Sequence, residues 1–302
     1  MKNKKKTLGT LSALTANLIF GFSFFFTTIA LDTGLSPMVL ITVRFTLAFA
    51  ILNLLWLFGV FKLNFKGKKL GRLLIMAIAQ PLLYFIFETY GLKYVSSSIS
   101  GVIISLVPVA VLVGYIIFFK GKPSKMQVVF SSLGVLCVIV ISIITDTSTV
   151  KFSIWGILLL FLAVICAAVF NMLSSSESAK FTPFERTYVM FASATVGFNI
   201  ISLVMLRGDY ISSFKPIFTS LPVGLSVVYL AVVSSIVAFM LYNFATSTID
   251  LVSAASFSSI IPICSVLAGI FLLEEKLSPA LIVLCALIIF CVYMVNKCGE
   301  KK

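Results

Sequence analysis

Long continuous apolar runs organise this chain. Ten can be drawn: Leu8–Leu31, Pro37–Phe61, Leu70–Leu92, Val95–Phe119, Met126–Thr145, Ile154–Ser174, Tyr188–Leu206, Pro222–Ala245, Leu251–Leu273 and Pro279–Asn296. Each approaches the roughly 20 apolar residues that cross a bilayer core as a helix. The alternation of a membrane barrel strand is missing. The pattern therefore predicts an all-α integral membrane protein with ten transmembrane helices. The connections are too short to fold as separate domains. The first run is too long for a cleavable signal and leads straight into further spans.

Composition sharpens this picture. Of 302 residues, 60% are apolar and 11% charged. No soluble fold of this size hides so much apolar surface, and a disordered chain would be far more polar. The net charge of +13 would point to nucleic acid in a soluble protein. Here it is first a topology signal. With the N-terminus inside, ten spans assign 17 Lys and Arg to the cytoplasmic side and five to the outer side, leaving Arg44 within a span. The acidic residues balance the outer side, so the whole excess lies inside. The expectation is a multi-pass protein of the cytoplasmic membrane with both termini cytoplasmic. Its partners are the lipid bilayer and a small-molecule substrate, with no nucleic acid. Monomer and homodimer both stay open.

Several chemistries drop out. The chain has no His, which removes Ser-His triads, His-based zinc sites and His proton shuttles. No Asp lies inside a span, so an intramembrane aspartyl protease is closed as well. The six Cys form no C-x-x-C pair and read as small packing residues. The expectation is no enzyme, no metal and no cofactor.

The chain also repeats itself. An offset of 154 residues places Phe85 on Phe239, Ser105 on Ser259, Pro108 on Pro262 and Cys137 on Cys291. Upstream, an offset of 146 places Pro37 on Pro183 and Phe45 on Phe191. The eight-residue difference is assigned to a longer connection between spans seven and eight. Residues 1–150 and 151–302 thus each carry five helices. An odd number turns the second half upside down relative to the first. Two inverted five-helix repeats forming one transport domain are a carrier architecture.

Two stretches carry a family resemblance: GLKYVSSSISGVIISLVPVAVLVGYIIFFKGKPSKMQ from Gly91, and ATSTIDLVSAASFSSIIPICSVLAGIFLLEEKLSP from Ala245. With ANLIFGFSFFF in the first helix and Arg44-Phe45 in the second, they resemble EamA-type carriers of the drug/metabolite transporter superfamily. The acidic turn Glu274-Glu275-Lys276 fits that pattern, whereas Lys120-Gly121-Lys122 departs from it. The resemblance implies a ten-helix carrier of small metabolites whose cavity is lined by helices 1, 3, 4, 6, 8 and 9. For Arg44 it implies a structural or gating position.

Arg44 and Glu88 are the ionisable residues placed well inside spans, about 10 Å and about 6 Å below the outer boundary at 1.5 Å per residue. An intramembrane charge is expensive and faces a partner or a cavity. Glu88 is read as a counter-charge for a cationic solute or as a proton-coupling carboxylate. Its rival reading is a structural pair with Arg44. Tyr84 shares its helix face. Asn17, Phe20 and Phe24 share a face of the first helix. Asn171, Tyr242 and Asn243 join them as candidate substrate contacts. Carboxylate and rings together would hold an ammonium group, each ring contributing about 0.5–2 kcal/mol by cation–π attraction. Pro108 and Pro262 bend their helices, freeing carbonyls beside Ser105 and Ser259 to face a polar site.

The function expected is alternating-access transport of a small polar metabolite, with amino acids, amines and quaternary ammonium compounds favoured. Proton coupling would run through Glu88. If Arg44 cancels Glu88, nucleobase-like or sugar-like solutes return, as does lipid translocation.

Overall fold

The computed structural model describes residues 2–119, 124–144, 151–249, 254 and 257–299, and within these it is helical without strands. We number the helices α1 (Lys2–Asp32), α2 (Pro37–Leu57), α3 (Gly71–Tyr94), α4 (Ser97–Phe118), α5 (Lys125–Ile144), α6 (Ile154–Glu177), α7 (Pro183–Leu206), α8 (Leu221–Thr248), α9 (Ile260–Leu272) and α10 (Pro279–Gly299). Seven are long and apolar enough to cross a membrane. The apolar parts of α5, α9 and α10 are shorter: Lys125–Val138, Ile260–Leu272 and Pro279–Met294.

Local chemistry explains the helix starts. Ser36 accepts from the Val39 amide, and Pro37 occupies the first turn of α2, where a missing N–H costs nothing. At α7 the hydropathy pattern places the start at Tyr188, but the helix begins at Pro183. Thr182 and Glu185 form a reciprocal capping box there. Two charges counted as loop residues are thereby drawn into the interior: Glu185 is 1% exposed and Arg186 is 0% exposed. Glu185 takes hydrogen bonds from the Asn64 amide (2.9 Å) and Lys68 (2.9 Å), which tie the α2–α3 connection to α7.

Packing runs between halves of the chain. α1 lies along α8 and α9, α3 along α6, α4 along α9, α2 along α7 and α5 along α10. Small residues permit the closest approaches. A Cβ on Gly91 would stand 2.8 Å from Leu160 and 3.3 Å from the Gly156 carbonyl. A Cβ on Gly101 would run into the Ser265 side chain of α9. Gly101→Val is therefore expected to cost about 1–3 kcal/mol through overpacking. A fall of several degrees in the unfolding midpoint of the detergent-purified protein is the readout; an unchanged midpoint would show that α4 and α9 do not meet there.

Ion pairs gather at the two ends of the bundle. Lys151 meets Asp32 at 2.8 Å at one end, where Glu275 also accepts from the Ser97 amide at 2.8 Å. Lys68–Glu185, Lys180–Glu177 and Arg72–Glu177 lie at the other. Between them the lateral surface carries exposed large apolar side chains, among them Ile117, Phe118, Leu158, Ile165, Val204 and Val283. That is the surface of a protein whose solvent is lipid.

The helices around the centre are not straight. α3 widens at Ile78–Leu83, where Gln80 is non-helical (φ −145°, ψ 122°) and Pro81 follows. α8 widens at Tyr229–Val237. α4 breaks after Ile104 and resumes at Val107, with Pro108 in its new first turn. Pro262 sits at the start of α9, behind a tight turn at Phe257–Ser259. Proline and widened turns are the usual causes of such bends.

Candidate functional site

The bent segments converge on a cavity of about 70 Å³. α1 contributes Asn17, Phe20, Ser23 and Phe24, and α2 contributes Arg44. α3 brings Gln80, Tyr84, Phe85 and Glu88; α4 brings Ile104 and Val107. α6 supplies Ala167, Phe170 and Asn171; α8 supplies Phe239 and Tyr242; Ser258 and Ile261 complete the wall at α9. Seven candidates from the sequence thus share one cavity: Asn17, Phe20, Phe24, Tyr84, Glu88, Asn171 and Tyr242.

The charged groups decide its chemistry. Arg44 is buried, and its Nε donates to Ser235 Oγ at 2.8 Å. One terminal nitrogen, Nη2, donates to Ser234 Oγ at 3.0 Å. The guanidinium lies 4.3 Å from the centroid of the Phe85 ring and 5.4 Å from that of Phe45. Glu88 is 2% exposed and takes a single hydrogen bond, from the hydroxyl of neighbouring Thr89 at 3.3 Å. Among the described residues Arg44 and Glu88 form no ion pair: hydroxyls and rings serve the cation, and the carboxylate is left to the cavity.

Amides and rings frame these charges. Asn17 Nδ2 donates to the Ala13 carbonyl at 2.7 Å, and Asn171 Nδ2 donates to the Ala167 carbonyl at the same distance. Each amide is held by its own helix with its Oδ1 turned away from that bond. Tyr242 donates its hydroxyl to Asn171 Oδ1. Tyr84, in contrast, has no hydrogen-bond partner among the described residues, although it is buried on the cavity wall. Phe239 meets Phe20 edge-on at 5.2 Å and packs near Phe85 and Phe170 at 6.2 Å each, the spacing of attractive aromatic contacts.

Four expectations need correction or relocation. Asn243 does not line the cavity. Its Nδ2 donates to Thr187 Oγ1 at 3.0 Å and its Oδ1 accepts from Ser174, because Arg186 draws that face of α8 toward α6 and α7. Ser105 is fully buried and donates back to the Val102 carbonyl at 2.6 Å, so the α4 break is satisfied locally and Ser105 leaves the wall to Ile104 and Val107. The side chain of Ser259 lies outside the described residues; the neighbouring Ser258 reaches the cavity. Neither proline is on the wall; Pro108 and Pro262 each lie in the first turn of a helical segment. The aromatic surface is also less free than a ligand box would be, since Arg44 already covers Phe85.

Sequence reasoning missed Phe85, Phe170, Phe239 and Ser258 as wall residues. For Phe85 and Phe239 a signal was present in the 154-residue offset, which places Glu88 on Tyr242 and Phe85 on Phe239. All four of these are on the wall.

A second polar cluster lies where α6, α7 and α8 meet. Arg186 donates to the Ser174 carbonyl and hydroxyl at 2.8 Å each and to Thr246 Oγ1 at 3.1 Å. It also reaches the Asn243 carbonyl and Ser247 Oγ. No carboxylate pairs with it among the described residues.

Comparison with known proteins agrees with this architecture. The profile described as "EamA-like transporter family" matches twice, over residues 7–143 and 154–297. The chain is 32% identical over 280 residues to "Uncharacterized transporter YcxC" of Bacillus subtilis (strain 168), covering 92% of this chain and 89% of that protein. An "Uncharacterized transporter" of Archaeoglobus fulgidus is 27% identical over 261 residues, 86% of this chain and 89% of the relative. A solved structure titled "Crystal structure of protein" superposes with a TM-score of 0.63 at 16% identity, covering 97% of this chain and 98% of its own, a likeness of fold.

Proposed function

The chain belongs to the EamA-like transporter family, and on that premise we propose that it is a ten-helix secondary carrier for small solutes bearing a cationic group, amino acids foremost. It is a multi-pass membrane transporter; substrate, coupling and mechanism are our reading. The observation that carries it is Glu88: a buried carboxylate on a central cavity, with one 3.3 Å hydrogen bond and no ion pair. A charge held at membrane depth without a partner is costly and is a functional site by default. An ammonium group supplies the missing partner. Arg44, on the same wall, offers the opposite charge to a carboxylate on the same solute. When the solute is absent, a proton on Glu88 removes the cost, which makes coupling to protons a natural consequence.

At about 70 Å³ the cavity is smaller than the roughly 300–1,000 Å³ of common ligand pockets, so the helices must part to admit a solute. We read residues 1–150 and 151–302 as two inverted repeats that rock about this point. The double family match, the pairing of helices across the halves and the widened turns in α3 and α8 support that reading. The bends at Pro108 and Pro262 are the hinges. The charge bias orients both termini to the cytoplasm.

A thermal-unfolding screen of the purified protein against amino acids, amines, nucleosides and sugars tests the substrate class. Solute that binds the folded carrier raises its midpoint. Amino acids or amines are expected to stabilise it, with saturable counterflow of the same solutes in proteoliposomes. Stabilisation by nucleosides or sugars alone would overturn the cationic reading.

A further inference from the structure

The α7–α8 connection builds a second cleft. Measured by the sequence offsets, eight extra residues separate α7 from α8 relative to α2 and α3. The structure spends only one of them on the connection itself. α7 runs on to Leu206, three residues past the position equivalent to Leu57, and α8 starts at Leu221, four before the position equivalent to Gly71. The lengthened helices and the folded segment between them enclose about 830 Å³ against α2.

Its walls are mostly apolar. Val43, Leu47 and Ala50 form one side on α2, Leu225 and Val228 the other on α8, and Phe214 lies in the connection that closes one end. Most of the polar groups there are already matched. Tyr210 donates to Asn199 Oδ1 at 2.9 Å, and Asn199 Nδ2 donates to Thr46 Oγ1 at 2.8 Å. Nothing in the cleft asks for a polar ligand. The connection also exposes apolar side chains, Ile211 and the cleft-lining Phe218 at least 85% each, as in a segment resting in the membrane interface. Two exposed cations, Arg207 and Lys215, lie in or beside that segment, and among the described residues neither is in an ion pair.

We propose that this cleft holds one anionic phospholipid from the surrounding bilayer, an acyl chain between α2 and α8 and its phosphate near Arg207 and Lys215. A transmembrane surface this concave is filled by hydrocarbon, and the connection that closes it carries Arg207 and Lys215 against one acid, Asp209, a net positive charge that favours a negative headgroup. In the first half the corresponding ends of α2 and α3 are shorter, and their connection carries four lysines, Lys62, Lys66, Lys68 and Lys69.

Native mass spectrometry of the intact protein, purified in mild detergent with phosphatidylglycerol and phosphatidylcholine added in equal amounts, tests this. One retained phosphatidylglycerol per chain is expected. Ala50→Trp, which fills an exposed stretch of the cleft without touching the core, should lower its occupancy at least tenfold. Val196→Trp, on an exposed part of α7 outside the cleft, should leave it unchanged. In the double variant Arg207→Gln/Lys215→Gln the two lipids should be retained equally. The proposal is overturned if Ala50→Trp keeps wild-type occupancy, if the double variant keeps its preference, or if Val196→Trp loses as much lipid as Ala50→Trp.

Discussion

Glu88→Gln is expected to reduce solute counterflow roughly 100-fold while the purified protein unfolds at nearly the same temperature. The amide matches the carboxylate in size and can still accept from Thr89, so the wall of the cavity keeps its shape. What disappears is the negative charge. In the absence of solute that charge makes no direct ion pair among the described residues, and Arg44 on the same wall keeps its own hydrogen bonds to Ser234 and Ser235, so the change in fold stability is expected to be small. In the presence of a cationic solute the loss falls on binding. Removing one partner of a desolvated charge pair costs about 2–5 kcal/mol, and each 1.4 kcal/mol is a factor of ten. The split between an intact midpoint and lost counterflow is the signature sought. Normal counterflow by Glu88→Gln would end the proposed role. A large fall in the midpoint would instead mark Glu88 as a structural residue.

Arg186→Leu is expected to do the reverse and strike stability first. The guanidinium is fully buried and joins three helices through five hydrogen bonds. One of its acceptors, the Ser174 carbonyl, lies in the last turn of α6, where backbone acceptors run out of helical partners. Leucine removes every donor and leaves two carbonyls and three hydroxyls facing one another. Hydrogen bonds to a charged group contribute about 1.5–3 kcal/mol each when taken singly, and breaking a buried charged network costs about 3–5 kcal/mol in all. A fall of roughly 10 °C in the unfolding midpoint follows. Arg186→Lys should recover little of it, since one ammonium cannot span acceptors on both α6 and α8. A variant that unfolds like the wild type would mean the cluster adds nothing to the fold.

These two residues also show where hydropathy reading succeeds and fails. Glu88 stands out because it interrupts a long apolar run. Arg186 does not, because it lies twelve residues beyond the end of one apolar run and two before the next begins, in a stretch, Glu177 to Thr187, that reads as a polar loop. The capping box at Thr182 and Glu185 turns that stretch into helix, and the helix carries Arg186 inside. The signal was local and legible: a Thr three residues before a Glu, with Pro between them. Asn243 failed for another reason. Its helix faces the cavity through Tyr242, but one residue further round the helix the side chain points to α7 and Arg186.

Membrane class, the helical segments and the charged pair at depth follow from sequence alone, because transfer from water to lipid is a residue-by-residue cost that adds along a run. The family follows from motifs in the same way. Which charge is free does not follow. Arg44 meets Ser234 and Ser235 across some 190 residues of chain, and only the packing of α2 against α8 brings them together. With Arg44 so engaged, Glu88 is left with Thr89 as its one hydrogen-bond donor among the described residues. Hydrogen bonds act over about 3 Å, so the pairing of buried polar groups is settled by helix rotation and approach, and these are properties of the assembled bundle.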